Sequence, residues 1–342
     1  MSTPESAIVL LELKLADNER RLGPDHPQTL KSRTDLATAY MEAGQPERAI
    51  PLYERILADR WRTLGADHLD TLFGCEHLAI AYQAAGRAEQ AVPLYEHILA
   101  GSERTLGADH PGTLSSRTNL ATAYMEAGQP ERAIPLYERV LADQRRILGA
   151  DHPQTLNSRH NLALTYRETG RTEQAIPLFE RMLTDSERIR GEDHPATTAY
   201  RHNLAAAYQE TGRTEQAIPL FERVLADSER IRGDDHPETL FSRDSLAAAY
   251  RETGRVEEAV PLLEKVLADS ERMLGDGHHD TLVSRTNLAL VYRETGRAEQ
   301  AVPLLEKVLA QRRRTLGGDH PVTRAVQESL RQARSAGRPK NS

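Results

Sequence analysis

The sequence predicts an all-α protein built from stacked antiparallel helix pairs. Three observations carry this. The chain repeats itself with a period of 42 residues: residues 32–46 read SRTDLATAYMEAGQP and residues 116–130 read SRTNLATAYMEAGQP. Apolar and small residues inside each repeat fall at helical spacing. Glycine and proline punctuate the repeat at fixed places, Gly44 returning at Gly86, Gly128, Gly170, Gly212, Gly254 and Gly296. A fixed period of this length marks stacked supersecondary units.

Each repeat divides into two helices. In the first, helix A runs from about Pro27 to Ala43, with Leu30, Leu36, Ala37 and Tyr40 on one face. Gly44 ends it, because glycine accepts the left-handed conformation at a helix C-terminus. Helix B runs from about Pro46 to Leu64, and Ala49, Tyr53, Ile56, Leu57, Trp61 and Leu64 are its expected buried stripe. Gly65 closes it. Ala37 and Ala49 belong where two helix axes come close, and Tyr40 and Tyr53 fill the wider gaps beside them.

The division along the chain follows. Residues 4–22 form a lone helix B, residues 27–317 form seven full repeats in a single solenoid, residues 321–336 form a capping helix A, and residues 337–342 are expected to be disordered. In the capping helix Arg331 and Arg334 replace the Ala37 and Tyr40 of other repeats, as a polar terminal face requires. The first helix is instead apolar. Val9 stands where proline stands elsewhere, and Leu13 where Arg55, His97 and Lys265 stand. Such an end invites a partner: a homodimer through residues 4–22, truncation from a larger chain, and a helix that folds back are the three readings.

Composition narrows the function classes. The formal net charge of −7 argues against a general nucleic-acid binder. The sequence has no apolar run long enough for a transmembrane helix, and the opening MSTPES lacks the basic start and cleavage site of a signal peptide. The one cysteine, Cys75, excludes an internal disulfide framework and fits a reducing, cytoplasmic setting.

The pattern L-A-x-x-Y-x-x-x-G-x-x-x-x-A-x-x-x-Y/F, at Leu36, Ala37, Tyr40, Gly44, Ala49 and Tyr53, resembles the tetratricopeptide repeat. The 42-residue length, the LG-x-DHP junction and the N-L-A core of helix A are similar to the kinesin-light-chain variety, which is also common in bacterial signalling proteins. The resemblance covers nearly the whole chain. It implies a right-handed superhelical α-solenoid whose helices A line a concave groove, and a non-catalytic scaffold that binds a peptide or protein segment there. A sensor that changes pitch on binding its ligand is the alternative.

On the implied groove, repeats differ while their cores agree. The slot of residue 35 reads Asp35, His77, Asn119, Asn161, Asn203, Ser245, Asn287. The resemblance makes asparagine there a clamp on a peptide backbone, and a carboxamide suits that role because it offers donor and acceptor together. The competing reading is that these asparagines bond their neighbours in the stack. The slot of residue 41 reads Met41, Gln83, Met125, Arg167, Gln209, Arg251, Arg293; that of residue 34 reads Thr34, Glu76, Thr118, His160, His202, Asp244, Thr286. Methionine adapts to apolar ligands and arginine grips carboxylates. The expected ligand is therefore apolar toward one end and acidic toward the other. Pairing of the arginines with local glutamates such as Glu168 and Glu252 is the competing reading.

Three features look chemical without requiring chemistry. The DHP histidines, among them His26, His68 and His110, recur at the period, and proline with a capping residue before it suits a helix start. Pro51 recurs inside helix B and predicts a bend near its first turn. Cys75 replaces an arginine and has no paired base. His160 and His202 occupy equivalent slots, but a catalytic zinc needs three protein ligands. No phosphate-binding loop or nucleophile elbow is present, so no cofactor, no metal and no catalytic residue is expected.

Overall fold

Each helix A starts where the sequence can satisfy its first free N–H groups. His26 adopts an extended backbone, φ −69° and ψ 139°, and its Nδ1 accepts a hydrogen bond from the Gln28 N–H at 3.2 Å. Pro27 supplies the first helical residue, where a missing N–H costs nothing. The same cap recurs at His68, His110, His152, His194, His236, His278 and His320. These imidazoles therefore act as acceptors inside the helix starts. At the other end, Gly44 takes φ +69° and the Gln45 N–H closes on the Tyr40 carbonyl at 2.8 Å.

The computed structural model describes residues 4–336, so the expected tail of residues 337–342 lies outside the described residues. Among the described residues there are sixteen helices and no strand. The chain divides into two compact units, residues up to Ala175 and residues from Ile176 onward. The first holds α1 (Pro4–Leu22), α2 (Pro27–Glu42), α3 (Pro46–Leu64), α4 (Leu69–Ala84), α5 (Ala88–Thr105), α6 (Pro111–Glu126), α7 (Pro130–Ile147) and α8 (Pro153–Glu168). Helix α9 (Thr172–Arg190) spans the boundary. The second unit continues with α10 (Pro195–Glu210), α11 (Thr214–Arg232), α12 (Pro237–Glu252), α13 (Val256–Leu274), α14 (His279–Glu294), α15 (Ala298–Leu316) and α16 (Pro321–Ala336). Within each unit successive helices pack on one another, α1 on α2 through α7 on α8, and α10 on α11 through α15 on α16.

The core lies between the helices of each pair. Ala37 and Ala49 have no exposed surface, and their equivalents Ala79, Ala91, Ala121, Ala133, Ala247 and Ala259 have none either. Leu36, Tyr40, Tyr53, Ile56 and Leu57 are buried as expected, and Ile50 joins them. Trp61 and Leu64 do not: they are 43% and 44% exposed. They lie in the last turn of α3; the Trp61 slot holds a charged residue in the other repeats, while the Leu64 slot is leucine in most of them. Helix α3 stays helical through Pro51, whose side chain is exposed.

A buried arginine ties the layers together. Arg33 is almost fully buried; its Nη2 donates to Glu19 Oε1 at 2.9 Å and its Nη1 to Asp59 Oδ2 at 3.3 Å. Helix α2 is thus bolted to the helix B before it and to the helix B after it. Arg117 binds Glu103 and Asp143, Arg201 binds Glu187 and Asp227, and Arg243 binds Glu229, Asp234 and Asp269. In the second repeat all three positions change together. Cys75 replaces the arginine, Trp61 the glutamate and Gly101 the aspartate. Leu72 fills the space: its Cδ2 lies 2.9 Å from where a Cβ on Gly101 would sit. The repeat exchanges a whole ion cluster for apolar packing, which leaves no charge stranded.

A second ladder runs along the pairs. Tyr40 donates its hydroxyl to Glu12 on the preceding helix B, Tyr82 to Glu54, Tyr208 to Glu180 and Tyr250 to Glu222, at 2.5 to 2.7 Å. In α16 Arg334 takes over this bond, reaching Glu306 at 2.6 Å. Arg331 occupies the slot of the fully buried alanines, and its side chain is 76% exposed on the outer face of α16.

Candidate functional site

Positions 34, 38 and 41 lie three and four residues apart, so each helix A presents them on one face. In the first unit, tyrosines of helix B reach that face from below. The Tyr53 hydroxyl lies 3.5 Å from Thr38 Oγ1, Tyr95 donates to Gln83 Oε1 at 2.6 Å, and the Tyr137 hydroxyl lies 2.9 Å from Thr122 Oγ1. Asn161 also hydrogen-bonds Tyr137, so this carboxamide has one partner inside the stack. Asn119, Met41, Met125, His160 and Arg167 are half-buried, and Met125 Sδ accepts from Thr165 Oγ1 at 3.3 Å. Burial pulls the His160 imidazole below its ordinary pKa. His77, in the slot of residue 35, stacks on Tyr53 with ring centroids 5.6 Å apart. Beside α2 a cavity of about 480 Å³ is lined by Lys31, Thr34, Asp35, Ile56 and Arg60, among others.

The second unit differs from below upward. Phe221, Leu263 and Leu305 stand where tyrosines stand in the first unit, so the floor has no hydroxyls at these positions. His202 lies between Phe221 and Phe241, with centroids 5.6 and 5.2 Å away. Phe241 is 58% exposed and Val283, its equivalent one repeat on, is 41% exposed. Asn203 and Asn287 are half-buried. Asp244 Oδ1 is sealed from solvent without a hydrogen-bond partner, and burial pushes this carboxyl up to about 6.

The arginine slot is engaged. Arg251 forms a two-pronged pair with Glu294, Nη2 to Oε1 at 2.8 Å and Nε to Oε2 at 3.2 Å. Its partner is in the next repeat rather than the neighbouring Glu252, which accepts from Gln209 Nε2 and Thr214 Oγ1. Gln83 bonds Glu126 in the same way, and Arg293 Nη1 donates to Gln332 at 2.7 Å. The residue-41 slot and the glutamate ending the next helix A thus form a rail along the face. Its sequence signal is the recurrence of Glu126, Glu252 and Glu294 beside polar slot-41 residues one repeat earlier. The tyrosine slot of helix B was equally readable, as a change from tyrosine to phenylalanine and leucine along the chain.

Among the described residues no group of three or more histidine, cysteine, aspartate or glutamate side chains could hold a metal ion. No helix is long and apolar enough to cross a membrane among those same residues.

The sequence profile of the tetratricopeptide repeat matches residues 71–145, 118–187, 178–229, 196–272, 244–314 and 280–340. A second profile of the same repeat matches residues 29–70. A comparison with curated proteins gave no match. Among solved structures, a putative kinesin light chain from Podosopora anserina, described as having nearly identical TPR-like repeats, is 36% identical. The alignment covers 60% of this chain and 97% of that one, with a TM-score of 0.54. A tetratricopeptide repeat protein from Parabacteroides merdae, 16% identical, aligns over 90% of this chain and 99% of its own with a TM-score of 0.54. The C-terminal part of a TPR repeat-containing protein from Cytophaga hutchinsonii, 15% identical, aligns over 85% and 97% with a TM-score of 0.56. The last two speak for the fold alone.

Proposed function

The chain belongs to the tetratricopeptide-repeat family, and on that premise we propose that it is a non-catalytic scaffold that binds extended segments of partner proteins along its helix-A faces. Repeats of this family are generally protein-interaction scaffolds. The observation that carries the reading is the contrast within each repeat. The helix-A core slots of Leu36, Ala37 and Tyr40 keep the same residue in all seven repeats, while the slots of residues 34, 35, 38 and 41 change from repeat to repeat. A surface that varies over an unvarying core is where selectivity can reside.

In the first unit, Asn119 and Asn161 are the proposed backbone clamps, with Met41 and Met125 as adaptable apolar contacts and His160 and Arg167 beside them. In the second, Asn203 and Asn287 are the clamps, with His202, Arg251 and Arg293 as side-chain contacts. The proposed ligand has apolar and acidic portions. Its acidic portion displaces Glu294 from Arg251, a swap of carboxylate partners, and Gln332 from Arg293, where a carboxylate replaces a neutral carboxamide. Panning a random peptide library on the full chain tests this. Recovered peptides should bind the Asn119→Ala/Asn161→Ala variant at least tenfold more weakly. Unchanged binding would mean that the clamps do not touch the ligand.

A self-association face is proposed on α1, where Val9, Leu10 and Leu13 are 52%, 66% and 64% exposed while Ile8 and Leu15 are buried. Light scattering should give a dimer that Leu13→Glu converts to monomer; a monomer for the parent chain at high concentration refutes it.

A further inference from the structure

The slot of residue 34 carries a small hydrogen-bonding device in several repeats. Thr34, Thr118 and Thr286 each turn the hydroxyl onto the carbonyl four residues back, at 3.0, 2.9 and 2.7 Å. Asp244 occupies this slot in α12 and cannot do the same when ionised, because a carboxylate has no proton to donate. Its Oδ1 is sealed without a partner, while the residue as a whole is only half-buried.

The register of the repeats places apolar residues beside Asp244. Phe241 lies one turn back on the same helix, and its ring is largely exposed. Register supplies the rest. His202, in the equivalent slot one repeat earlier, touches Phe221 and Phe241. Moved on by one repeat, those two positions are Leu263 on α13 and Val283 on α14. His202 is itself the titratable group in the equivalent slot one repeat back. The charged neighbours in sequence are committed elsewhere: Arg243 to Glu229, Asp234 and Asp269, and Arg251 to Glu294. Burial alone accounts for the raised carboxyl, with no charged group contributing.

An uncompensated carboxylate between apolar walls is costly to fold around, and such groups gather at functional sites. We propose that Asp244 anchors a cationic side chain, a lysine or arginine of the bound segment, whose aliphatic stem lies along Phe241 and Val283. Both halves of such a side chain find their match: the stem covers exposed apolar surface and the head meets the charge. The inference rests on the groove reading above and adds an ordered charge to it. A basic residue sits at Asp244, and the acidic portion lies about two helical turns away at Arg251.

The test is a random twelve-residue peptide library selected at pH 7.5 on the full chain and, in parallel, on Asp244→Asn. That variant removes a buried charge and keeps the shape, so it folds; circular dichroism verifies this. Peptides recovered on the parent chain should be enriched in lysine or arginine at one position. Replacing that residue by norleucine should weaken binding to the parent chain tenfold or more and leave binding to Asp244→Asn unchanged. Equal loss on both proteins, or recovered peptides without a required basic residue, overturns the assignment and leaves the groove reading standing. The first of those outcomes means that the cation is read elsewhere. Recovery of no peptide on either protein overturns both.

Discussion

Arg251 holds Glu294 of the following repeat through two hydrogen bonds, at 2.8 and 3.2 Å, on the face proposed to meet the ligand. The pair is half-exposed, so its worth to the fold is at most about 1 kcal/mol. Arg251→Ala should therefore shift the urea midpoint little. Together with Arg293→Ala it should weaken a ligand with an acidic portion by about tenfold, one carboxylate contact being worth about 1.4 kcal/mol. Titration with such a peptide reads this. Equal affinity for parent and double variant would show that these arginines serve the stack alone.

Asp244 links stability to pH. Its folded pKa is raised from 3.8 to about 6 by burial, so ionisation disfavours the folded state above that value. Asp244→Asn should stabilise the protein at pH 7.5 by about 2–3 kcal/mol. The advantage should shrink as pH falls through 6 toward 4, where the parent carboxyl is protonated in the fold. Urea melts at pH 7.5 and 4.5 measure it. A variant less stable than its parent at pH 7.5 would mean that the carboxylate is compensated.

The second repeat should tolerate its own substitutions and resist reversal. Cys75 has no exposed surface, and burial pushes its thiol up to about 11. It should not react with a thiol reagent at pH 8 until denaturant is added; rapid modification of the native chain contradicts this. Cys75→Arg strands a buried charge, because Trp61 and Gly101 stand where its carboxylate partners would be. The cost should be about 3–5 kcal/mol. Arg243→Ala should cost less in the same melts, because Glu229 and Asp234 keep Lys265 and Asp269 keeps Arg272.

The tyrosine ladder should be visible in alkaline titration. Burial, then a hydrogen bond to a carboxylate, raises Tyr82, Tyr124, Tyr166, Tyr208, Tyr250 and Tyr292 to about 12. Phenolate absorbance should rise late, near pH 12 rather than 10. These groups hold their protons more tightly when folded, so the stability they lend is present below pH 10 and is lost as pH climbs toward 12. A single absorbance step centred near pH 10 in the folded protein would contradict the ladder.

Features governed by local spacing were legible in the sequence. Helix limits, the left-handed Gly44, and the touching Ala37 and Ala49 follow from periodicity and from residue size. Features set by register between helices were not. Trp61 looks like core on a helical wheel, yet it occupies a rim slot that holds Glu19 or Glu103 in neighbouring repeats. Arg33 reads as a surface residue by composition and is buried because two carboxylates from different helices meet it. The joint change of Trp61, Cys75 and Gly101 was the available clue, since three distant positions departing together imply contact. On the candidate site, the variable slots were readable from the repeat. The rail from Arg251 to Glu294 was not, because no spacing within one helix brings those two together.

The central claim, that the helix-A faces take a peptide backbone between carboxamides, is tested most directly by calorimetric titration of a library-selected peptide into parent chain and Asn119→Ala/Asn161→Ala. Two lost hydrogen bonds at about 1 kcal/mol each predict a tenfold or greater loss of affinity, with the fold unchanged by circular dichroism. Identical affinities for the two proteins would contradict the claim.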